Sequence, residues 1–304
     1  MTTSRPLLTG LPPARRSCLS VPASDPRKLA KASGLGADEV ILDLEDSVVA
    51  TAKPSARAAV VAALRDWTGA RVSVRVNPPR SPWCHLELAA LAGVQDRPWS
   101  IVVPKVETAG DLAFIDRSLD GMETASGRRA PLRVQALIET AAGLANVDEI
   151  AGSCERLEAL ILGYADLAVS LGRPPARARD LDLWLAAQHS VLLAARHHGL
   201  QAIDGPFLGT AADEAFRAAA ARARDLGFDG KWAIHPTHVP VLDALFRPSD
   251  GEVERAHAVL DALQDGERGD GAGAVALDGE MLDEAVRRSA LRVLARAEPG
   301  SPAR

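Results

Sequence analysis

Apolar residues in this chain fall into short runs separated by longer amphipathic stretches. Residues 40–44 (VILDL), 100–103 (SIVV), 133–139 (RVQALIE) and 157–162 (LEALIL) are nearly continuous apolar runs. Such runs suit strands buried on both faces, as parallel strands covered by helices are. Residues 18–21 (CLSV), 71–76 (RVSVRV), 200–203 (LQAI) and 231–234 (KWAI) complete a set of eight strand candidates. Between them the pattern changes to helix, over 26–33, 54–64, 86–91, 110–119, 144–151, 181–197, 213–226 and 239–246. Asp25-Pro26 reads as an N-cap followed by proline at the first helical position. Gly199 stands just past one of these helices, as a C′ residue does. Residues 1–16 are expected to be a loose lead-in, 121–130 a polar loop and 172–180 a polar Pro/Arg insertion.

Eight strands alternating with helices predict the α/β class and a parallel (β/α)8 TIM barrel, which needs about 250 residues. A doubly wound open sheet is the alternative. It requires a Gly-rich turn after an early strand, and no GxGxxG stands there. The tail departs from the alternation. Residues 249–263 form a helix pattern behind a capping box, Ser249 followed by Glu252. Residues 264–273 are rich in Gly and Asp, 274–277 are a short apolar piece, and 281–297 predict a last helix. The expected organisation is a barrel catalytic domain over 1–247 and a C-terminal helical extension over 248–304.

A barrel places its chemistry at the carboxyl ends of its strands. The polar residues there are Asp43 with Glu45 and Asp46, Arg75 with Asn77, Lys105, Glu139, Asp166, Asp204 and His235. Glu139 and Asp166 end neighbouring strands. Two carboxylates brought together raise each other's pKa unless a cation neutralises them. Mg2+ or Mn2+ is one such cation, needing only one or two protein carboxylates. Ion pairs with Arg75 or Lys105 are the other solution, and the residues alone leave both open. No His-x-His or HExxH spacing occurs, which disfavours zinc. The planar fork of Arg75 can hold a carboxylate or an enolate oxygen, or pair with Glu45 or Asp46. On the residues alone, His235 reads as a structural histidine, His197-His198 as a helix-end pair that suits the dipole, and Asp283 as a first-turn acid.

Charge and cysteine usage narrow the partners. A net charge of −5 argues against nucleic acid or an anionic membrane surface. No run approaches the ~20 apolar residues of a membrane span, and the N-terminal stretch lacks a signal-peptide pattern. Cys18, Cys84 and Cys154 are far apart and odd in number, which suggests neither a disulfide framework nor a zinc site. A reducing, cytoplasmic setting fits.

The segments RSCLSVPAS, VILDLEDSV, VRVNPP, VPKVET, ALIET, LGYADLAVSLG, AIDGPF, GFDGKWAIHP and LDGEMLDEAV occur in that order. Over about residues 15–297 the chain resembles the HpcH/HpaI aldolase and citrate lyase β-subunit family, and more closely its branch of malyl-CoA and citramalyl-CoA lyases. The resemblance implies a (β/α)8 barrel assembled as a homotrimer or hexamer. It implies Glu139 and Asp166 as magnesium ligands, Arg75 as the arginine that binds substrate and stabilises an enolate, and Glu45 and Asp46 as acids that hold metal-bound water and orient Arg75. It implies Asp283 as a catalytic aspartate delivered to an adjacent subunit, in place of the first-turn reading.

The implied reaction is Mg2+-dependent cleavage or formation of a 3-hydroxyacyl-CoA ester such as malyl-CoA or citramalyl-CoA, giving acetyl-CoA or a homologue plus an α-keto acid. Arg16, Arg27, Lys28 and Lys53 are candidates for the CoA phosphates. Three departures stand out: Ala23 where many relatives have glycine, Tyr164 where a smaller residue is common and where it is expected to crowd the metal, and the unfamiliar stretch 173–187. The alternatives are a malyl-CoA-type thioesterase, a CoA-independent 2-keto acid aldolase and a citrate lyase β subunit of a larger complex. The intact set Arg75, Glu139, Asp166 and Asp283 argues against a non-catalytic barrel.

Overall fold

Eight parallel strands pair in sequence order, and the last returns to the first to close a barrel: β1 (Ser17–Pro22), β2 (Glu39–Asp43), β3 (Arg71–Arg75), β4 (Ser100–Val103), β5 (Arg133–Ile138), β6 (Leu157–Leu162), β7 (Gln201–Asp204) and β8 (Gly230–Ala233). The structure is a computed structural model and describes residues 14–95, 97–174, 181–268 and 275–297. The connecting helices are α1 (Pro26–Ala32), α2 (Lys53–Arg65), α3 (Cys84–Ala92), α4 (Ala109–Ser126), α5 (Ala141–Ala145), α6 (Val147–Ala151), α7 (Tyr164–Ser170), α8 (Leu185–His197), α9 (Glu214–Leu226) and α10 (Val239–Phe246). The described chain divides into two compact units, one spanning Arg15–Ala244 and the other taking in the residues from Leu245 on.

The barrel interior is layered. Strand side chains alternate between faces, so every second residue points inward. Cys18, Ile41, Val102, Leu137, Ala159, Ile161, Ile203 and Trp232 form the apolar middle layer. Toward the N-terminal end lies a polar layer. Glu39 accepts from Ser73 and, at 2.6 Å, from Gln135 Nε2, and Gln135 also donates to Ser100 Oγ at 2.8 Å. Arg15 is almost fully buried there and donates to Glu39, Glu158 and Gln201. Its guanidinium is buried with three acceptors around it, as a charge away from water requires. Residues 1–16 are therefore not lead-in to their end; residues 1–13 lie outside the described residues.

Other differences from the pattern have local causes. Gly121 does not stop α4, which runs to Ser126 and closes on Gly127 in the left-handed conformation (φ 66°). A lone glycine costs a helix only about 1 kcal/mol, and the buried stripe Leu112, Ile115, Leu119 and Glu123 continues past it. The helix expected over 144–151 is two short ones, α5 and α6, joined at Asn146. The segment after β6, to which the sequence pattern assigns no helix, is the helix α7. The insertion 172–180 is described only at Gly172, Arg173 and Pro174; residues 175–180 lie outside. Leu181–Trp184 then form a 3-10 turn before α8.

In the second unit, α11 (Asp250–Arg268) starts at the expected capping box: Ser249 N–H and Oγ–H donate to Glu252 Oε2 at 2.7 and 2.8 Å. The helix extends past Gln264 to Arg268, and residues 269–274 lie outside the described residues. A hairpin follows, β9 (Val275–Leu277) and β10 (Glu280–Leu282), turned by Asp278-Gly279 with φ of 51° and 83°. Asp-Gly with both φ values positive is the turn whose twist matches paired strands. The last helix is α12 (Glu284–Ala297), and Leu282 and Ala290 pack on Ala256, Val259 and Leu263 of α11. Among the described residues no helix is long and apolar enough to cross a membrane.

Candidate active site

Inward parity carries charge past the apolar layer at the C-terminal rim. Two residues beyond Ile41 is Asp43, and two beyond Leu137 is Glu139. Asp43 and Arg75 are register partners on β2 and β3. Arg75 Nε and Nη2 donate to the two oxygens of Asp43 at 2.7 Å each. Its Nη1 lies 2.9 Å from Glu45 Oε2, an ionic contact without hydrogen-bond alignment, so this buried oxygen has no hydrogen-bond partner among the described residues. Burial opposes charge on both members of the Asp43–Arg75 pair. The fork outweighs it, holding the Asp43 carboxyl below the usual carboxylate range and the guanidinium firmly charged. Asp46 does not share in this: it stands on the solvent side, 4.0 Å from Lys105 Nζ. Asp43 takes the orienting place expected of Asp46, because in-out alternation turns 43 and 45 inward together.

Lys105, just past β4, is the junction of the site. It is a non-glycine residue in the left-handed region (φ 51°), a conformation that costs about 1–3 kcal/mol and persists where its surroundings over-determine it. That twist points its N–H at Glu139 Oε1, 3.0 Å away, while its ammonium lies 2.6 Å from Glu45 Oε1 and 3.3 Å from Asp166 Oδ2. One residue thus gathers Glu45, Glu139 and Asp166. Glu139 is only 3% exposed. Burial and the nearby Glu45 and Asp166 outweigh the attraction of Lys105 and Arg75, and its carboxyl is pushed up to about 8. Gly163 makes room for it: a Cβ at 163 would lie 2.6 Å from both Cβ and Oε2 of Glu139. Gly163 also precedes α7, whose first turn carries Asp166.

Other expected mouth residues lie elsewhere. Ile203 and Trp232 face the barrel core, so Asp204 and Lys231 face outward, toward the helices. There Asp204 accepts from Lys231 and from the hydroxyl of Tyr164, and Gln188 Nε2 donates to that hydroxyl at 2.8 Å. Tyr164 therefore turns away from the carboxylates; its ring meets the edge of Trp184 at 5.2 Å. The expected crowding of the metal does not occur. His235 caps the 3-10 turn Pro236–His238, with Nδ1 2.8 Å from Thr237 Oγ1.

Two cations considered for the CoA phosphates are committed elsewhere. Arg16, at the N-terminal end of β1, is forked onto Asp38. Lys53 is 5% exposed and donates to Leu44 O, Glu45 O and Asn77 Oδ1 at 2.6–2.7 Å. Arg27 and Lys28 remain exposed on α1, behind the C-terminal end of β1. Ala23 is buried, and its N–H continues the ladder onto Asp43 O at 3.0 Å. A cleft of about 240 Å³ opens beside the carboxylates, lined by Pro78, Pro79, Arg80, Lys105, Glu107, Asp111 and Thr140. In the other unit Asp283 is the N-cap of α12 and not a first-turn acid: its Oδ1 accepts the N–H of Val286 at 2.9 Å.

The donor set fits a hard divalent cation. Glu139, Asp166 and Glu45 offer only carboxylate oxygens, the ligands that magnesium prefers. A buried Glu45 oxygen without a hydrogen bond and a Glu139 carboxyl destabilised by its neighbours are both relieved by added positive charge. Lys105 makes the ion pairs with Glu45 and Asp166 that the sequence left open, while the orienting role of Asp43 and the space that Gly163 leaves for Glu139 are not marked by the sequence pattern. Lys105 and Gly163 stand within segments of the family resemblance, VPKVET and LGYADL, which is the signal that points to them.

The comparisons with known proteins agree with this geometry. The chain is 37% identical to L-malyl-CoA/beta-methylmalyl-CoA lyase of Cereibacter sphaeroides over 307 aligned residues, 94% of this chain and 96% of that one. It is also 37% identical to a (3S)-malyl-CoA thioesterase of the same species, over 93% and 94% of the two chains. The crystal structure of CitE from Mycobacterium tuberculosis in complex with magnesium, acetoacetate and coenzyme A superposes with a TM-score of 0.74 at 33% identity, covering 93% of this chain and 98% of that one. Residues 16–236, the barrel from the start of β1 to just past the end of β8, match the family model as a whole, and the chain belongs to the HpcH/HpaI aldolase/citrate lyase family.

Proposed function

We propose that the protein is a Mg2+-dependent carbon–carbon lyase. Its substrate is a 3-hydroxyacyl-CoA with a carboxylate beside the hydroxyl carbon, of the malyl-CoA or citramalyl-CoA type. Its products are acetyl-CoA, or a homologue, and an α-keto acid. The observation that carries this reading is the convergence at Lys105: Glu45, Glu139 and Asp166 meet there, and Glu45 in turn contacts Arg75 at 2.9 Å.

Glu139 and Asp166 are the residues to hold the metal, with Glu45 and Asp46 beside them. When bound, magnesium supplies Lewis-acid chemistry to the carboxylate and hydroxyl oxygens of the substrate; manganese offers similar chemistry. The chain does the rest. The substrate hydroxyl releases its proton to solvent as its carbon becomes the carbonyl of the α-keto acid, the C–C bond breaks, and its electron pair passes to the thioester as an enolate. Arg75, locked on Asp43, presents a fixed positive charge to that enolate oxygen and need not reorient as the charge develops. Asp283 returns a proton to the enolate carbon, or removes it in the condensing direction. Its exposed position at the head of α12 suits delivery to a neighbouring subunit, in a homotrimer or hexamer. All three cysteines are free thiols, as in a cytoplasmic protein.

The deciding experiment incubates the enzyme with malyl-CoA and citramalyl-CoA in the presence of Mg2+ and identifies the products. An α-keto acid with acetyl-CoA is expected; formation of neither refutes the lyase. The thioesterase relative supports a second reading, ester hydrolysis on the same site. Free CoA with intact malate or citramalate selects it.

A further inference from the structure

Neighbouring residues on a helix point about 100° apart, so adjacent histidines rarely act together. His197 and His198 do. His197 is the last residue of α8 and His198 its C-cap (φ −95°, ψ 6°), and the two rings lie against one another. Their centroids are 4.4 Å apart with the planes at 43°. Both address one atom: His197 Nδ1 lies 3.0 Å and His198 Nε2 3.2 Å from Oδ1 of Asp148, in the first turn of α6. The three ligand atoms lie within 4.8 Å of one another. The ring of His198 rests on Gly152, where a Cβ would approach its Cε1 to 2.7 Å. The glycine makes a seat for that ring, so the chain itself positions the second imidazole.

Two imidazoles and one carboxylate are donors for Zn2+, Co2+, Ni2+ or Cu2+, whereas Mg2+ prefers an all-oxygen set. We propose that Asp148, His197 and His198 form a transition-metal site on the outer helical layer of the barrel, with the remaining coordination positions taken by water. The site joins α6 to α8, two helices that flank β6 in sequence, so an ion there cross-links the layer around that strand. It is separate in chemistry and in residues from the carboxylates at the mouth and does not depend on the reaction proposed for them.

The test uses untagged full-length protein held in millimolar Mg2+ and titrated with Co2+ and Zn2+. The wild type is expected to take up one equivalent of Co2+ with a visible absorption band characteristic of nitrogen and oxygen ligation. Zn2+ is expected to displace that ion and to raise the midpoint of thermal unfolding by linkage. His198→Gln and the double variant with His197→Gln should weaken uptake at least tenfold. His197 is largely exposed, so His197→Gln alone tests the site without threatening the fold. Glu139→Ala should retain the band. Absence of the band in the wild type, or an unchanged band in the histidine variants, overturns the proposal; so does loss of the band in Glu139→Ala, which would place the ion at the mouth.

Discussion

Asp43 and Arg75 are register partners on adjacent strands, and their side chains close a two-bond fork at 2.7 Å on each arm. The backbone that fixes the strands also fixes the angle at which the guanidinium meets the mouth. Lysine keeps the charge but loses the fork. Arg75→Lys is therefore expected to fold and to lower kcat by about 10²–10³, the usual cost of one removed oxyanion donor. The check is steady-state kinetics on malyl-CoA beside a denaturant melt. A fall in kcat below tenfold shows that charge without the fork suffices.

Gly163 gives a second handle on the same geometry. A methyl group there meets Glu139 at 2.6 Å, at its stem and at its carboxylate. Gly163→Ala forces Glu139 or α7 to move, an overpacking cost of about 1–3 kcal/mol. Displacing a ligand in this way typically weakens metal binding by about 10–100-fold. Calorimetric titration with Mn2+ measures it. Unchanged affinity places the ion away from Glu139.

Protonation of Glu139 links the site to pH. In the folded protein its carboxyl is pushed up to about 8 from an ordinary 4.5, first by burial and then by Glu45. The sign follows from which state holds the proton. Below 4.5 both states are protonated and the contribution to stability is full. Between 4.5 and 8 the unfolded chain has released its proton and the folded one has not, so the contribution is lost as pH rises across that window. A divalent cation needs the ionised form. Binding of Mg2+ at about pH 7 should therefore expel close to one proton per ion, and release should vanish above about pH 9. Titrations in buffers of differing ionisation enthalpy read this directly; no release at neutral pH means that Glu139 is already ionised.

The barrel was legible because parallel strands leave runs such as LEALIL and the helices between them leave amphipathic stretches. Parity along a strand was less so. Asp204 ends β7 much as Glu139 ends β5, yet Asp204 faces the helices and Glu139 the mouth. That difference is one residue of register, which an apolar run does not display. The role of Asp43 was hidden in the same way among three acids. Arg15 looked like part of a polar leader because its partners, Glu39, Glu158 and Gln201, are brought together only by barrel closure. The left-handed Lys105 has no single-residue signal, since lysine is not a residue that usually marks φ > 0.

Tyr164 tests that parity argument. Its hydroxyl serves Asp204 and Gln188 and not the metal carboxylates. Tyr164→Phe leaves the Asp204–Lys231 pair but removes a buried donor, for a loss of about 1–3 kcal/mol. Mg2+ affinity should be unchanged. Chemical denaturation and metal titration separate the two effects, and tighter Mg2+ binding in the variant would restore the crowding role.

Asp283 carries two duties that alanine cannot separate. As N-cap of α12 it accepts the Val286 N–H at 2.9 Å, and its backbone carbonyl accepts from Arg287 N–H at 3.0 Å. Asp283→Ala removes the cap, at about 0.5–2 kcal/mol, together with the proposed proton carrier. Lost turnover in that variant has two explanations. Asparagine caps as well as aspartate but has no carboxylate to exchange a proton. Asp283→Asn should therefore unfold like the wild type and bind the CoA ester normally, while kcat falls by about 10²–10⁴. Exchange of the acetyl-CoA methyl protons with deuterated solvent should be lost alongside. If Asp283→Asn turns over at the wild-type rate while Asp283→Ala does not, Asp283 holds the helix and the proton moves through another group.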